Sequence, residues 1–249
     1  KGNKKAFYNL VTMETDRVLE EMGDSLAFDF YRDTTGLRGR ISSIAGNVAT
    51  LVDPEDARNF KEGMTTVADD TITGASLRSG QAVVSAVNED GGTVAFTDIT
   101  LMVGVTANDY LFRQGDPGTC MEGLEVCTPL SAPVFGTDSF RGEDRGKNPS
   151  RLSGSRLDDT SLNAEVALGR LAVKISKLGR SHNVDEAYVN PTHFFNMAQR
   201  LNAKVEYDDG GGTANNGFQH LMLHTAAGTM KVFADPDCPM NRGRVSRDG

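Results

Sequence analysis

The hydrophobic period of this sequence changes twice along the chain, and these changes limit the folds that the chain can adopt. Before Gly36, apolar residues recur every three or four positions, which indicates a helix. Between Leu37 and Asp116 the period becomes two and turn residues recur, which is typical of short β-strands. After Asp159 the helical period returns. We therefore expect an α+β chain in which a β-rich segment separates two helix-containing parts.

The first predicted helix covers about residues 3–31. Its apolar residues fall at helical spacing and make one stripe, formed by Leu19, Met22, Leu26 and Phe30, with Phe7 and Val11 nearby. Residues 32–36 read Arg-Asp-Thr-Thr-Gly, and this turn-rich sequence predicts the end of the helix.

The β-rich segment contains several predicted strands, at 38–44, 48–52, 63–68, 81–87, 93–96 and 109–113. The sequence Asn-Glu-Asp-Gly-Gly at 88–92 suits a hairpin connection. So many short strands in about 80 residues predict either a small barrel or a sandwich. The apolar residues expected to fill its core are Val48, Leu51, Val83, Val87, Val94, Phe96, Leu111 and Phe112.

A loop-rich segment at 116–159 concentrates positive charge, carried by Arg141, Arg145, Lys147, Arg151 and Arg156. Two interpretations of these bases remain open. They belong to a solvated, extended segment, or they form a strip that pairs with acidic patches on a neighbouring subunit.

The last part of the chain contains a clear strand–stop–helix pattern at 187–201. Asn190 is a strong N-cap residue type, and Pro191 suits the first helical position. Phe194 opens the apolar face of the helix that follows. A further helix is predicted at 160–178, opened by capping residues at 158–161. After a glycine-rich loop at 208–212, we expect a strand or short helix at 218–225 and a strand at 228–234.

The composition is that of a folded protein, with 38% hydrophobic and 24% charged residues. A formal net charge of −8 argues against broad binding to a phosphate backbone, which needs clustered Lys and Arg. It fits either ordinary solubility or a container that must not adhere to a polyanion inside it. Three cysteines without a CxxC pair indicate a reducing compartment. No stretch approaches the run of about 18 apolar residues that a membrane helix needs.

Candidate sites for metal or nucleophilic chemistry lack their usual signatures. His220 and His224 have the four-residue spacing of two metal ligands on a helix, with Cys238 nearby in sequence, but no HExxH glutamate follows His220. Structural histidines are the simpler interpretation. A catalytic nucleophile would need a cysteine beside a histidine. The candidates are Cys120 or Cys127 paired with His182 or His193. No local motif supports them, so we expect no enzyme activity, no metal and no cofactor.

Three segments, taken in order, resemble parts of one known family. The helix that ends at 33–36 resembles a spine helix and its following turn. The helix at 160–178 and the strand–Asn–Pro–helix at 187–194 are similar to that family's helix, strand ending in Asn-Pro, and helix with an early aromatic residue. The strand at 228–234, which runs on to Asp235 and Pro236, looks like a third element. The family is that of the major capsid proteins of tailed bacteriophages, with the Hong Kong 97-type shell fold.

The resemblance implies a mostly antiparallel α+β capsid core with a spine-like helix at 1–36. An inserted small β-barrel or sandwich domain would occupy 37–116, and a loop-rich peripheral part with a helix-flanked axial domain would occupy 117–249. The implied function is structural: copies assemble through hexamers and pentamers into an icosahedral phage head around double-stranded DNA. Arg141, Arg145, Lys147, Arg151 and Arg156 would lie at subunit interfaces, and Asn190, Pro191 and Phe194 would serve as structural cap and core.

The resemblance implies that the main partners are other copies of the chain. Scaffolding, portal or decoration proteins are further implied partners, and packaged DNA would be contacted without sequence specificity. The implied location is the virion capsid, assembled in the host cytoplasm, with no membrane. The family's arm, hairpin and last strands imply further segments before Lys1 and after Gly249. Two alternatives remain open: an encapsulin-like shell of a cellular compartment, and a two-domain ligand-binding protein or enzyme with a β-barrel module.

Overall fold

The computed structural model of this chain describes residues 3–158, 161–178, 184–201, 220–240 and 243–246. The chain forms two compact units, Lys1–Val126 and Cys127–Gly249. Helices and mostly antiparallel sheets make up both units, which confirms the predicted α+β class. The first unit contains residues 1–36 together with the β-rich segment.

The first unit begins with helix α1, Asn3–Tyr31, whose 29 residues match the predicted range. The helix ends in a turn where the Asp33 carboxylate accepts a hydrogen bond from the Thr35 amide at 3.0 Å. Gly36 follows with a φ of +70°, a region that residues with a Cβ rarely adopt. A side chain at this position would also come within 2.8 Å of Asp116 and Cys120. The glycine therefore fixes the direction in which the chain leaves α1.

Six antiparallel strands then close into a barrel in the order β1-β2-β5-β4-β3-β6. The strands are β1 Leu37–Ala45, β2 Val48–Leu51, β3 Thr65–Asp69, β4 Ala82–Asn88, β5 Thr93–Phe96 and β6 Tyr110–Arg113. Closure joins β1 to β6, so every strand has two neighbours and the sheet has no free edge. The barrel, rather than the sandwich, is therefore the observed form of the predicted β-rich segment.

The barrel interior is a packed core of apolar side chains. Ile41, Val84, Leu111 and Met102 are each at most 1% exposed. Three residues predicted for this core lie elsewhere: Val48 and Val83 are exposed, and Phe112 is buried but outside the barrel core cluster. A bulge in β4 lies between Val84 and Ala86 and shifts the alternation along that strand. Alternation of apolar residues in the sequence does not reveal such a bulge. The prediction therefore assigned Val83 to the core, whereas its neighbour Val84 is the buried valine.

The end of α1 packs on the barrel through an aromatic ring and two arginines. Phe28 and Tyr31 are 7% and 5% exposed. The guanidinium carbons of Arg32 and Arg38 lie 4.1 Å and 4.6 Å from the Phe28 ring centroid, within cation–π distance. Arg38 is also buried, and it donates a hydrogen bond to the Asp116 carboxylate at 2.8 Å. These contacts anchor the last turns of α1 to the barrel.

The second unit contains a four-stranded sheet in the order β10-β11-β9-β12. Strands β9 and β11 are parallel, and the other neighbours are antiparallel. The elements that build it are α4 Ala164–Ser176, β9 Glu186–Val189, α5 Pro191–Leu201, β10 Leu221–Thr225, β11 Gly228–Ala234 and β12 Gly243–Ser246. Before them in sequence come the short elements α2 Leu124–Cys127, β7 Ser139–Phe140, β8 Glu143–Asp144 and α3 Pro149–Leu152.

One face of the sheet packs against α4 and α5. Leu168 and Ala172 of α4 and Met197 of α5 are buried with residues of β9, β10 and β11. The prediction that this helix begins near residue 160 is wrong, since α4 begins at Ala164 and Asn163 occupies its N-cap without a side-chain cap bond. Residues 159–160, 179 and 208–212, to which capping, helix termination and a loop were assigned, lie outside the described residues. Of the two forms considered for 218–225, the described residues 221–225 are a strand.

Candidate subunit interface

The predicted basic strip includes a short hairpin made of β7 and β8. The guanidinium carbons of Arg141 and Arg145 lie 5.0 Å and 4.7 Å from the ring centroid of Phe140. Asp138 accepts a backbone hydrogen bond from the Arg145 amide at 2.9 Å. Because one ring contacts both guanidinium groups, the two positive charges are held close together.

The other three bases of the strip differ in their surroundings. Lys147 is exposed, with its amine 3.9 Å from the Glu143 carboxylate. Arg151 is exposed on α3. Arg156 is half-buried and bridges the loop, because its Nε donates to the Pro129 carbonyl at 2.5 Å and its Nη2 to the Ser153 carbonyl at 2.8 Å. Burial, and then the nearby Arg145, lower the pKa of Arg156.

Sequence reasoning missed an apolar pair on the same loop. Val134 and Phe135 are 59% and 71% exposed. The turn that carries them is fixed by the Asp138 carboxylate, which accepts from the Val134 amide at 2.7 Å. Their position between Pro133 and Gly136, outside any helix or strand pattern, was the available signal. The loop therefore presents apolar as well as basic groups to solvent.

The predicted cap residues lie at the start of α5. Asn190 is 1% exposed, and its Oδ1 accepts from the Thr192 amide at 2.9 Å while its Nδ2 donates to the Cys238 carbonyl at 3.3 Å. Pro191 is the first residue of α5. Phe194 is half-buried and packs against the core of the second unit. These residues position α5 on the sheet.

Helix α1 carries an apolar surface that its own unit leaves exposed. The side chains that define this surface, named here the α1 stripe, are 48–64% exposed: Val11, Val18, Leu19, Met22, Leu26 and Phe30. Their spacing places them on one side of the helix, while Phe28 and Tyr31 face the barrel. The predicted stripe exists, but it does not pack within its own unit.

Three of the candidate chemical residues, Cys120, His224 and Cys238, have surroundings that the structure describes. Burial, together with the carboxylates of Asp29 and Asp116, raises the pKa of Cys120 to about 12, which keeps the thiol protonated at neutral pH. His224 lies on strand β10, where its Nδ1 is 2.9 Å from the Thr229 hydroxyl. Cys238 is buried and its thiol points to the Tyr188 carbonyl at 3.7 Å. In the ranges that the structure describes, no group of three or more His, Cys, Asp or Glu side chains could hold a metal ion. His182 lies outside them.

No protein-family model matches this sequence, and comparison with curated proteins and with solved structures gives no match. Among the described helices, none is both long and apolar enough to cross a membrane. The interpretation of the surfaces therefore depends on their own chemistry.

Proposed function

We propose that this chain is a major capsid protein of a tailed bacteriophage, with a Hong Kong 97-type core, and that its copies assemble through hexamers and pentamers into a DNA-filled icosahedral head. The order of three segments supports the proposal. They are a long helix ending in a glycine turn, the β9–Asn190–α5 unit, and β11 running on to Asp235. The virion would then be its location, and other copies its main partners.

The observation that carries the proposal is the exposed α1 stripe. Its six large apolar side chains each keep about half or more of their surface in water. Monomeric soluble proteins rarely expose contiguous apolar patches of this kind, which instead mark interaction sites. A subunit whose function is to contact copies of itself needs such a surface.

The basic hairpin supports the same function by different chemistry. An exposed ion pair contributes only about 0–1 kcal/mol. A shell repeats each contact at every interface, so weak pairs add up to a stable assembly. The exposed Arg141, Lys147 and Arg151, together with the half-buried Arg145, would pair with acidic groups of a neighbour.

The ligand-binding alternative has less support. A barrel that binds a small molecule keeps a cavity inside, whereas this barrel is filled by its own side chains, including Ile41 and Met102. The compartment-shell alternative shares the assembly and differs only in what the shell encloses.

Sedimentation velocity over a range of protein concentrations tests the proposal. We expect the protein to form species of five or more copies as concentration rises. Met22→Glu combined with Leu26→Glu should prevent this and leave the unfolding midpoint unchanged, because both side chains are exposed in the subunit. A protein that stays monomeric at every concentration would contradict the proposed function.

A further inference from the structure

The surroundings of the α1 stripe are strongly acidic. Between Val11 and Tyr31 the sequence has one base, Arg17, and six acids: Glu14, Asp16, Glu20, Glu21, Asp24 and Asp29. Arg17 is itself paired with Glu21 at 3.4 Å. Two α1 stripes facing each other would bring like charges together, which disfavours pairing of α1 with α1. The surface that covers the stripe should be apolar with a basic rim.

The second unit has a surface of this kind between α4 and β10. An open groove of about 640 Å³ lies there, with apolar walls from Leu157, Val166, Val173 and Leu223. Gly169 of α4 also lines it, and apart from the chain neighbours and the helix backbone a Cβ at that position would meet no atom within 4 Å. The middle of the groove is therefore open. We name this surface the α4–β10 groove.

The rim of the α4–β10 groove is basic. Arg170 and Lys174 line it from α4, and Lys177 lines it from the C-cap position just after this helix. The Lys174 amine donates to the Arg156 carbonyl at 2.6 Å, which holds the amine at the rim. Glu165 is the acid among the lining residues, and Arg200 lies 3.7 Å from its carboxylate and offsets its charge.

We infer that the α1 stripe of one copy docks in the α4–β10 groove of a second copy. The inference rests on the proposed function and names one of its interfaces. Apolar side chains of the helix would fill the groove, as in other helix-in-groove contacts, and the rim bases would face Glu14 and Glu21 beside the stripe. The contact uses different surfaces on the two copies, so its repetition generates a closed ring or an open chain.

Disulfide cross-linking between two distinguishable copies tests the contact. One copy carries Leu19→Cys and the other, with a larger tag, carries Gly169→Cys, both in a Cys127→Ser background that removes the exposed native thiol. We expect oxidation to join the two tagged chains, and reductant to separate them. Glu20→Cys is the matched control, since this exposed position lies on the other side of α1 and should cross-link poorly.

Charge reversal provides a second readout. Glu14→Lys with Glu21→Lys, or Arg170→Glu with Lys177→Glu, should each lower the yield of the cross-link about tenfold. Mixing the helix-reversed copy with the groove-reversed copy should restore it, because the reversed charges again attract. Restoration separates a direct contact from a loss of folding.

Three outcomes would overturn the inference. Rings or shells that form without any cross-link between the introduced thiols would exclude this interface and leave the proposed function standing. A single chain that carries both Leu19→Cys and Gly169→Cys provides a further test. If a disulfide forms within that chain, and none ever forms between tagged copies, a second copy does not fill the groove. A protein that never associates would exclude both the interface and the proposed function.

Discussion

The Oδ1 atom of Asn190 accepts a hydrogen bond from the backbone amide of Thr192 at 2.9 Å, and this contact caps helix α5. The same side chain donates through Nδ2 to the carbonyl of Cys238 at 3.3 Å. One buried amide therefore satisfies a free N–H of the first helical turn and joins α5 to the segment after β11.

Replacing Asn190 by Ala should lower the free energy of unfolding by about 1–2 kcal/mol, because both hydrogen bonds are lost. Chemical denaturation measures the change. Asn163→Ala is the matched control, since Asn163 holds the N-cap of α4 without a side-chain cap bond and should change stability little. Equal effects of the two substitutions would contradict the assigned role of Asn190.

The stability of the first unit should depend on pH through Asp56. Burial raises the pKa of Asp56 to about 6, and the favourable charge of Arg32 offsets this only in part. The folded state thus binds more protons than the unfolded state between the ordinary pKa of 3.8 and about 6. Stability from this group is present at low pH and is lost as the pH rises through 6.

We expect unfolding free energies at pH 5.0 and pH 7.5 to differ by about 1 kcal/mol through this group, with lower stability at pH 7.5. Asp56→Asn should remove this contribution to the pH dependence. It should retain the hydrogen bond that the Asn59 Nδ2 donates to the Asp56 Oδ1 at 3.1 Å. Asp29, whose pKa burial also raises, contributes in the same direction and remains in the variant. An unchanged pH dependence in Asp56→Asn would show that Asp56 is not the source.

Gly80 should tolerate no side chain. It has a φ of +87°, and a Cβ there would lie 1.9 Å from the Leu101 carbonyl oxygen. Gly80→Ala should destabilise the barrel by about 3 kcal/mol or more, because strain in φ adds to a backbone overlap. Gly115 is the matched control, because its φ is +92° but an added Cβ would meet no atom within 4 Å beyond its chain neighbours. Gly115→Ala should therefore lower the free energy of unfolding by only about 1–2 kcal/mol. Similar thermal midpoints for the two variants would refute the packing described around Gly80.

The basic strip should affect assembly more than folding. Replacing Arg141, Arg145 and Arg151 by Ala should slow oligomer formation in light scattering and weaken its dependence on salt, because salt screens the ion pairs that these bases make. The unfolding midpoint should change less than assembly does, because Arg141 and Arg151 are exposed and such charges contribute about 0–1 kcal/mol per pair within a subunit, although Arg145 is half-buried on Phe140. Lys61, Arg113 and Lys231, replaced together by Ala, remove the same charge elsewhere and serve as control. A lower melting temperature with unchanged assembly would reverse this assignment.

Local sequence signals were sufficient for several elements. The bounds of α1 follow from its period and its Asp-Thr-Thr-Gly stop, and those of α5 from Asn190 and Pro191. Capping and turn residues act over only a few positions, so they can be recognised in the sequence without knowledge of the tertiary structure. The strand ranges agree to within about two residues because the alternation and the turns were both clear.

Long-range features were not accessible in the same way. Closure of the barrel depends on the pairing of β1 with β6, and no local pattern distinguishes this from a sandwich. The burial of Val84 in place of Val83 depends on a bulge set by the partner strand. Likewise, the apolar period of α1 identified a stripe, but periodicity does not tell whether the same chain or another molecule covers it.

Negative-stain electron microscopy of the purified protein tests the central claim most directly, because that claim is that copies of this chain build a shell. We predict particles tens of nanometres across, or rings of five or six subunits, and their loss in the variant that combines Met22→Glu with Leu26→Glu. A uniform field of monomers at high protein concentration would contradict the account.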